Sequence, residues 1–373
     1  MPVATVQISR SALLHNLESL RSLQPGAKVM AVVKGNAYGH GQELVTSVLE
    51  PHVDMFYVDD LEELRLLRRT SQKPTLVGGY VPTEDLDEAM ALHGTLVLYD
   101  HNRLKPLEQA AAQAGRAAEV HLKIDALLGR QGLLPEELPS FCEELKKYPG
   151  IHVTGAYAHF ANIEDTTDPV HAQSQVDVFE GALASLRHLG HERLARHISS
   201  TSGLMVYERG AKANDYVRLG IGLYGLYPSE ALARPFESLG LRPVMRWVTK
   251  LAQVKELPAQ HPVGYGLTYI TSRPTRVGIV PQGYSDGYDR GLSSAADVLV
   301  NGVRCAVIGR VAMNMFMVDL TQAPEARPED EVVLLGSQGG NRISAEEMAR
   351  RIGTINYEVV TRVSPLLRRE IIE

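Results

Sequence analysis

Short β-branched or apolar runs recur through the first 220 residues, at 28–33, 53–58, 75–79, 95–99, 119–124, 153–158, 195–199 and 216–219. Most gaps between them hold apolar positions that return every three or four residues, the spacing that lines one face of a helix. Leu13, Leu14, Leu17 and Leu20 form one such face, and Ser11 stands where a cap would start it. The stretch from Leu61 to Leu67 is a second, and Val176, Phe179, Leu183 and Leu186 form a third. Eight strands alternating with helices predict an α/β fold, a (β/α)8 TIM-type barrel. A doubly wound open sheet satisfies the same alternation, and counting strands does not separate the two.

From about residue 240 the texture changes. Helical spacing disappears until 344–352, and strand-like runs at 245–254, 276–280, 297–307, 315–318 and 331–335 are broken by Gly, Pro, Asn and Asp. The expected plan is a barrel over 10–235 followed by a mostly-β C-terminal domain made of 1–9 plus 236–373. The first run, 4–9, is assigned to that second domain as a pairing strand. Neither an internal repeat nor a low-complexity segment is visible.

Composition narrows the function. The 373 residues fit two domains, and 44% apolar with 22% charged residues is ordinary for a soluble globular protein. A net charge of −6 without a long basic run argues against a nucleic-acid or anionic-membrane partner. The one basic pair, Arg368-Arg369, reads as a solvated face. Two cysteines, Cys142 and Cys305, are too few for a disulfide framework and point to reduced thiols. The first residues lack a basic segment followed by an apolar one, and no apolar run reaches the roughly 18 residues of a membrane helix. A cytoplasmic protein is expected.

The most informative stretch is Ala31-Val32-Val33-Lys34-Gly35-Asn36-Ala37-Tyr38-Gly39-His40-Gly41. An apolar strand ends abruptly in a lysine, and glycines, a tyrosine and a histidine follow. In a barrel, chemistry sits at the carboxyl ends of the strands. Desolvation at such a rim favours the neutral, nucleophilic amine, which can form a Schiff base with an aldehyde cofactor. A lone lysine at a strand end is usually just a surface group, so the whole string carries the weight. It closely resembles the pyridoxal-phosphate lysine motif of the alanine racemases, with Gly35 where alanine is usual.

The resemblance extends over nearly the whole chain, and the remaining roles are what it implies. Lys34 holds pyridoxal 5'-phosphate and Tyr38 meets its phosphate. His121 to Asp125, with Gly129-Arg130, is similar to the fifth strand and its loop, in which Arg130 binds the substrate carboxylate. A guanidinium grips a carboxylate through two hydrogen bonds, which suits that role. Lys123 matches a lysine that some members carry as a carbamate, and Ala126-Leu127-Leu128 replaces the usual Thr-Gly-Met. His159, ending the sixth strand, contacts the cofactor ring and its arginine. Thr201 puts a hydroxyl on the phosphate, where a helix N-terminus suits an anion. Ser200 stands where asparagine is usual.

The segment from Tyr216 to Gly225 contains a literal G-x-G-x-x-G at Gly220, Gly222 and Gly225. A dinucleotide reading is rejected, because no acidic residue follows near 20 residues on and no opening βαβ unit surrounds it. Instead the resemblance gives Gly220 and Ile221 as phosphate-binding amides and Arg218 as the partner of the pyridine nitrogen. An arginine cannot readily give up a proton. The ring nitrogen would then stay unprotonated, a weaker electron sink that disfavours side reactions such as transamination.

In the second domain, Tyr265 matches the family's second catalytic base. A phenol ordinarily ionises only near pH ~10, so that role requires donors or positive groups beside it, for which His159 and Arg218 are the candidates. Tyr284 matches an entrance residue and the Met313 backbone a contact to the substrate carboxylate. Ala312 and Asn314 replace a frequent cysteine and aspartate. Tyr357 matches a residue that reaches the phosphate and limits the substrate side chain to about a methyl group. Arg362-Val363-Ser364-Pro365 departs from the usual Arg-Val-Pro-Arg.

The implied activity is interconversion of L-alanine and D-alanine by two bases, Lys34 and Tyr265, with Tyr265 delivered by the second subunit of a head-to-tail homodimer. No metal is expected. A racemase for serine or a broader amino-acid range is the alternative, against which Tyr357 weighs. A fold-related amino-acid decarboxylase is opposed by the Tyr265 segment and Arg218, and a bare-barrel cofactor carrier by everything beyond residue 235.

Overall fold

The structure, a computed structural model, describes residues 3–164, 169–207 and 214–373. The chain divides into two compact units. One is Leu14–Gly35 with Val45–Leu241, and the other is Met1–Leu13, Asn36–Leu44 and Arg242–Glu373. The segment that follows Lys34 therefore groups with the β unit.

Strand β1 (Thr5–Ser9) belongs to the β unit. The barrel unit is built on β2 (Lys28–Val32), β3 (Met55–Val58), β4 (Thr75–Val77), β5 (Gly94–Leu98), β6 (Ala118–Lys123), β7 (Ile151–Tyr157), β8 (Ala195–His197) and β9 (Tyr216–Leu219). All are parallel, each pairs with its neighbour from β2 to β8, and β2 also pairs with β9. The last gap is bridged by Arg218 N–H donating to Ser199 O and Asp215 N–H donating to Arg196 O, both at 3.0 Å. The eight strands thus form a nearly closed barrel, and the open-sheet alternative falls away. Its interior is filled by Met30, Met55 and Leu76, with Tyr57, Val97 and Tyr216 packed against them.

Every barrel strand read from the sequence is present, with ends moved by one to a few residues. The first helix, Arg10–Arg21, buries Leu13, Leu17 and Leu20. Its cap is Ser9, whose Oγ accepts from Ala12 N–H at 3.2 Å, rather than the exposed Ser11.

The β unit is a ten-stranded sheet of β1 with β10 (Met245–Lys250), β11 (Gln253–Leu257), β12 (Thr275–Val280), β13 (Asp297–Val300), β14 (Val303–Ile308), β15 (Phe316–Asp319), β16 (Glu331–Gln338), β17 (Asn341–Ile343) and β18 (Arg368–Ile372). Strand β1 pairs antiparallel with β10 and parallel with β18. Two expected runs divide. The stretch 245–254 is broken at Leu251-Ala252, and 297–307 is a hairpin folded at Asn301-Gly302, both with positive φ (51° and 79°). Asn-Gly is the strongest short-range hairpin signal and overrides the continuous apolar run around it. Leu257, Val263, Val277 and Ile308 form a core cluster of this sheet.

After Lys34 the backbone makes a left-handed turn. Gly35, Asn36, Ala37 and Tyr38 have φ of 62°, 54°, 54° and 52°. For non-glycine residues this costs about 1–2 kcal/mol each. The β unit supplies compensation. Asn36 Oδ1 accepts from Gln42 N–H, Asn36 O from Gly41 N–H, and His40 Nδ1 lies 3.0 Å from both Ala37 O and Tyr38 O. Gly39 (φ +82°) is required, since a Cβ there would lie 2.0 Å from Val360 O. Arg369 then clamps the segment, donating from Nε to Gly39 O at 2.9 Å and from its terminal nitrogens to the carbonyls of Val363, Ser364 and Leu367. The reading of Arg369 as a solvated basic residue is therefore wrong. Its charge is spent on four carbonyls that a neutral side chain would leave short of a donor. Arg369→Ala is expected to lower stability by about 2 kcal/mol, measured by urea unfolding, with Arg368→Ala nearly neutral.

Candidate active site

The sequence-predicted groups of the barrel unit stand at the carboxyl ends of its strands. Lys34 lies two residues beyond β2, Lys123 closes β6, Arg130 is in the following loop, His159 lies two residues beyond β7, Thr201 follows β8, and Arg218 is in β9. Lys34 Nζ donates to Asp59 Oδ1 at 3.1 Å, and both side chains are close to half exposed.

Arg218 is the centre of a buried network. Its Nη1 donates to His197 Nδ1 (2.8 Å) and His197 O (3.0 Å), and its Nη2 reaches His159 Nδ1 (3.0 Å), Ala158 O (2.9 Å) and Ile198 O (2.9 Å). Its Nε–H has no acceptor among the described residues. A guanidinium has no acceptor capacity, so both imidazoles must present unprotonated Nδ1 to it. His197 then carries its proton on Nε2 and donates to His121 Nδ1 at 2.9 Å. Burial first, and the Arg218 charge second, hold His159 and His197 well below the usual imidazole range and bring His121 down to about 4. All three are neutral at pH 7. Tyr157 stacks on His197 (4.9 Å between ring centroids), and Arg218 sits 5.3 Å over its ring.

Lys123 is 2% exposed. Burial, then the charges of Arg130, Arg218 and Lys34, lower its pKa to about 7. Its Nζ has a long contact to Gln131 Oε1 (3.4 Å), and Gln131 Nε2 donates to Tyr99 Oη (3.0 Å). Arg130 is exposed on the tip of the loop. Asp125 Oδ1 shapes that loop by accepting from Leu128 N–H (2.9 Å) and Gly129 N–H (3.0 Å). Leu127, in the stretch that departs from Thr-Gly-Met, takes a positive φ of 62°. The fully buried Gln175 joins the β6 and β7 loops, donating to Ala126 O and His159 O and accepting from Ala161 N–H.

Beside β9, Thr201 Oγ1 accepts from Gly220 N–H at 3.1 Å, which leaves its own O–H as a donor. Ile221–Tyr224 is a 3-10 turn closed by Gly225 at φ 77°. A Cβ at Gly222 would lie 2.6 Å from Thr201 Cγ2. The glycine string thus serves close packing and a left-handed turn, in keeping with rejection of a dinucleotide loop. Ser200 starts the helix Thr201–Val206 without a side-chain capping bond.

In the β unit, the rings of Tyr38 and Tyr357 lie 6.1 Å apart. Tyr284 and Met313 are on loops that hold each other: Tyr284 N–H donates to Ala312 O, and Ser285 N–H and Oγ donate to Met313 O. Asn314 Nδ2 donates to Ser285 Oγ at 2.9 Å, so the amide found there braces the same pair of loops. Met313 N–H has no partner among the described residues. Tyr265 is 73% exposed, and its hydroxyl bonds to nothing among the described residues of its unit.

The sequence reading missed His197, Tyr157, Asp59, Glu63 and Gln175. His197 and Tyr157 carried a usable signal, since both fall at strand ends in step with Lys123 and Arg218. Asp59 aligns with Lys34 only once β2 and β3 are in register, and Gln175 lies inside a helix that gives no hint of its reach.

The strand-end lysines, arginine and histidines on this architecture define a barrel enzyme with an appended β domain. The family description "Alanine racemase, N-terminal domain" matches residues 8–228 and "Alanine racemase, C-terminal domain" matches residues 244–371. The alanine racemase of Symbiobacterium thermophilum is 36% identical over 360 residues, which is 96% of this chain and 94% of that one. The crystal structure of alanine racemase from D-cycloserine-producing Streptomyces lavendulae has a TM-score of 0.93 at 32% identity, covering 100% of this chain and 98% of the other. That of the Bacillus anthracis enzyme with bound L-Ala-P has a TM-score of 0.91 at 30% identity, over 100% and 96%. The chain belongs to the alanine racemase family, whose members are isomerases.

His40, lowered to about 4 chiefly by burial, resembles His121 in being neutral inside the fold. Below about pH 6.5 the unfolded chain binds protons that these folded imidazoles refuse until the pH nears 4. Stability should therefore fall as pH drops through that window, by roughly 1 kcal/mol per pH unit for each histidine. Urea midpoints measured from pH 7 to 5 check this, and a flat profile would contradict it.

Proposed function

We propose that this chain interconverts L-alanine and D-alanine using pyridoxal 5'-phosphate and two bases, Lys34 and Tyr265, and that Tyr265 is supplied by a second copy. What carries the reading is the Arg218 network: a buried guanidinium with four donors engaged and its Nε–H left over, matching a ring nitrogen that accepts. The other donors fit the same group. Lys34 offers an amine for the aldehyde, and neutral His159 an Nε2–H. Thr201 O–H, the Ile221 N–H and the Tyr38 and Tyr357 phenols suit the phosphate, whereas Gly220 N–H, expected from the sequence to serve it too, is already taken by Thr201 Oγ1. When bound, the cofactor supplies the electron sink that lets an amino acid lose its Cα proton.

The residues do the rest. Arg130 pairs with the substrate carboxylate, and the unengaged Met313 N–H is a second donor to it. Lys34 holds or accepts a proton on one face of Cα, and Tyr265 does so on the other. Tyr357 limits the side chain to about a methyl group, which favours alanine over serine, and Tyr284 lines the entrance. Lys123, uncharged for part of the time at pH 7, can attack carbon dioxide at carbon, lose a proton and become a carbamate whose charge orients Arg130. A homodimer is supported by the apolar side chains that the β-unit loops expose: Tyr265, Leu267, Ile270, Tyr284, Met313 and Met315. Such surface is usually covered by a partner. Free, buried Cys142 and Cys305 suit a reducing cytoplasm, and none of the described helices is long and apolar enough to cross a membrane.

The decisive assay incubates the protein and cofactor with L-alanine or L-serine in deuterated water. Loss of optical rotation with deuterium at Cα is expected, faster for alanine. Carbon dioxide release would replace the reading with decarboxylation. Lys34→Ala should abolish turnover, and Tyr265→Phe should cut it by about 100-fold or more in both directions. Arg130→Ala should cost roughly 10- to 100-fold in kcat/KM.

A further inference from the structure

We infer that Asp59 is a positioning carboxylate for Lys34, paired with it at the barrel mouth and placed to relay the proton that the amine must shed before it can act. This rests on the proposed role of Lys34 as imine-forming lysine and base. The pair is built into the strand register. Val32 pairs with Tyr57, so Lys34 and Asp59 emerge two residues further on, side by side.

Three neighbours fix the backbone that carries the carboxylate. Glu63 accepts from Gly35 N–H through Oε1 (2.5 Å) and from Asp59 N–H through Oε2 (2.7 Å), so one side chain sets the separation of the two strand ends. Asp60 caps the helix that carries Glu63, its Oδ1 accepting from Glu63 N–H at 2.9 Å. Gly79 N–H donates to Asp59 O at 2.9 Å, and a Cβ at residue 79 would lie 2.4 Å from that oxygen and 2.9 Å from Asp59 Oδ2. The chain thus leaves a side chain out at 79 where the Asp59 carboxylate needs the room.

Lys123, His159 and Tyr57 also feel the Lys34 charge, and the Glu63 carboxylate is occupied by the Gly35 and Asp59 N–H groups. Asp59 is the one carboxylate bonded to Lys34 among the described residues. An ammonium ion cannot attack an aldehyde or take a proton from Cα. Across 3.1 Å the N–H bond breaks as an O–H bond forms on Asp59, and the half-exposed carboxyl passes that proton to water or returns it. The enantiomers of alanine are equal in free energy, so Asp59 cannot favour either product. It changes only which of the two proton transfers is slow.

The test uses the full-length protein with Asp59→Asn, and with Glu62→Gln as a control on the exposed face of the same helix. In the cofactor-free protein, acetylation of Lys34 by acetic anhydride at neutral pH is followed by peptide mass spectrometry. An exposed ion pair shifts an equilibrium by about twofold to fivefold, so Asp59→Asn should speed Lys34 acetylation by that factor and Glu62→Gln should not. In the holoenzyme, the ratio of the primary deuterium isotope effects for α-deuterated L- and D-alanine should change in Asp59→Asn while the equilibrium ratio stays at one. Asp59→Ser repeats both measurements if the amide variant misfolds. Wild-type acetylation rates in both Asp59 variants would overturn the inference. A wild-type protein that failed to racemise alanine would sink the proposed function instead, and would leave the acetylation result to judge Asp59 by itself.

Discussion

A permanently charged guanidinium lies buried at the end of β9, and the site is arranged around the cost of keeping it there. No carboxylate among the described residues bonds to Arg218, so carbonyl dipoles, imidazole lone pairs and the face of Tyr157 must stabilise the charge. The consequences run outward through the sequence. His197 has to accept from Arg218, which obliges it to donate to His121. The His121 ring in turn fills the space where a Cβ at Gly155 would lie 2.7 Å away. A neutral His159 on the other side of the same guanidinium keeps its Nε2–H as a donor. One donor of Arg218 is left over, and the proposed function gives it to an acceptor nitrogen.

The second constraint is mechanical. The barrel sets Lys34, Lys123, His159 and Arg218 at the carboxyl ends of β2, β6, β7 and β9, above the hydrogen-bonded ring of strands. The left-handed turn after Lys34 is costly, and the β unit holds it with Asn36, His40 and the Arg369 clamp. The proposed catalytic lysine and these structural demands therefore meet within a few residues, which explains why glycine, asparagine and histidine crowd the segment after the first barrel strand.

Much of this was legible in the sequence because barrel strands are buried runs and strand ends are abrupt. The eight strands, the change of texture near residue 240 and Lys34 were visible that way, whereas Arg218 and His159 were picked out by the family resemblance. The hairpin at Asn301-Gly302 was read through because the flanking apolar residues are continuous. β17 and β18 are short and polar, and Arg369 looked solvated because nothing in its neighbours reveals four carbonyls converging on it. Asp59 and Gln175 act through register and reach, which arise only after folding. The family resemblance supplied residue roles; the hydrogen bonds explain why several of those residues are of the type they are.

The direct test of the Arg218 constraint is ¹⁵N NMR of the imidazole rings in the full-length protein. The account predicts that His197 and His121 both carry their proton on Nε2, and that neither titrates as the pH is lowered through about 6.5. A His197 protonated on Nδ1, or one that gains a second proton near that pH, would contradict it.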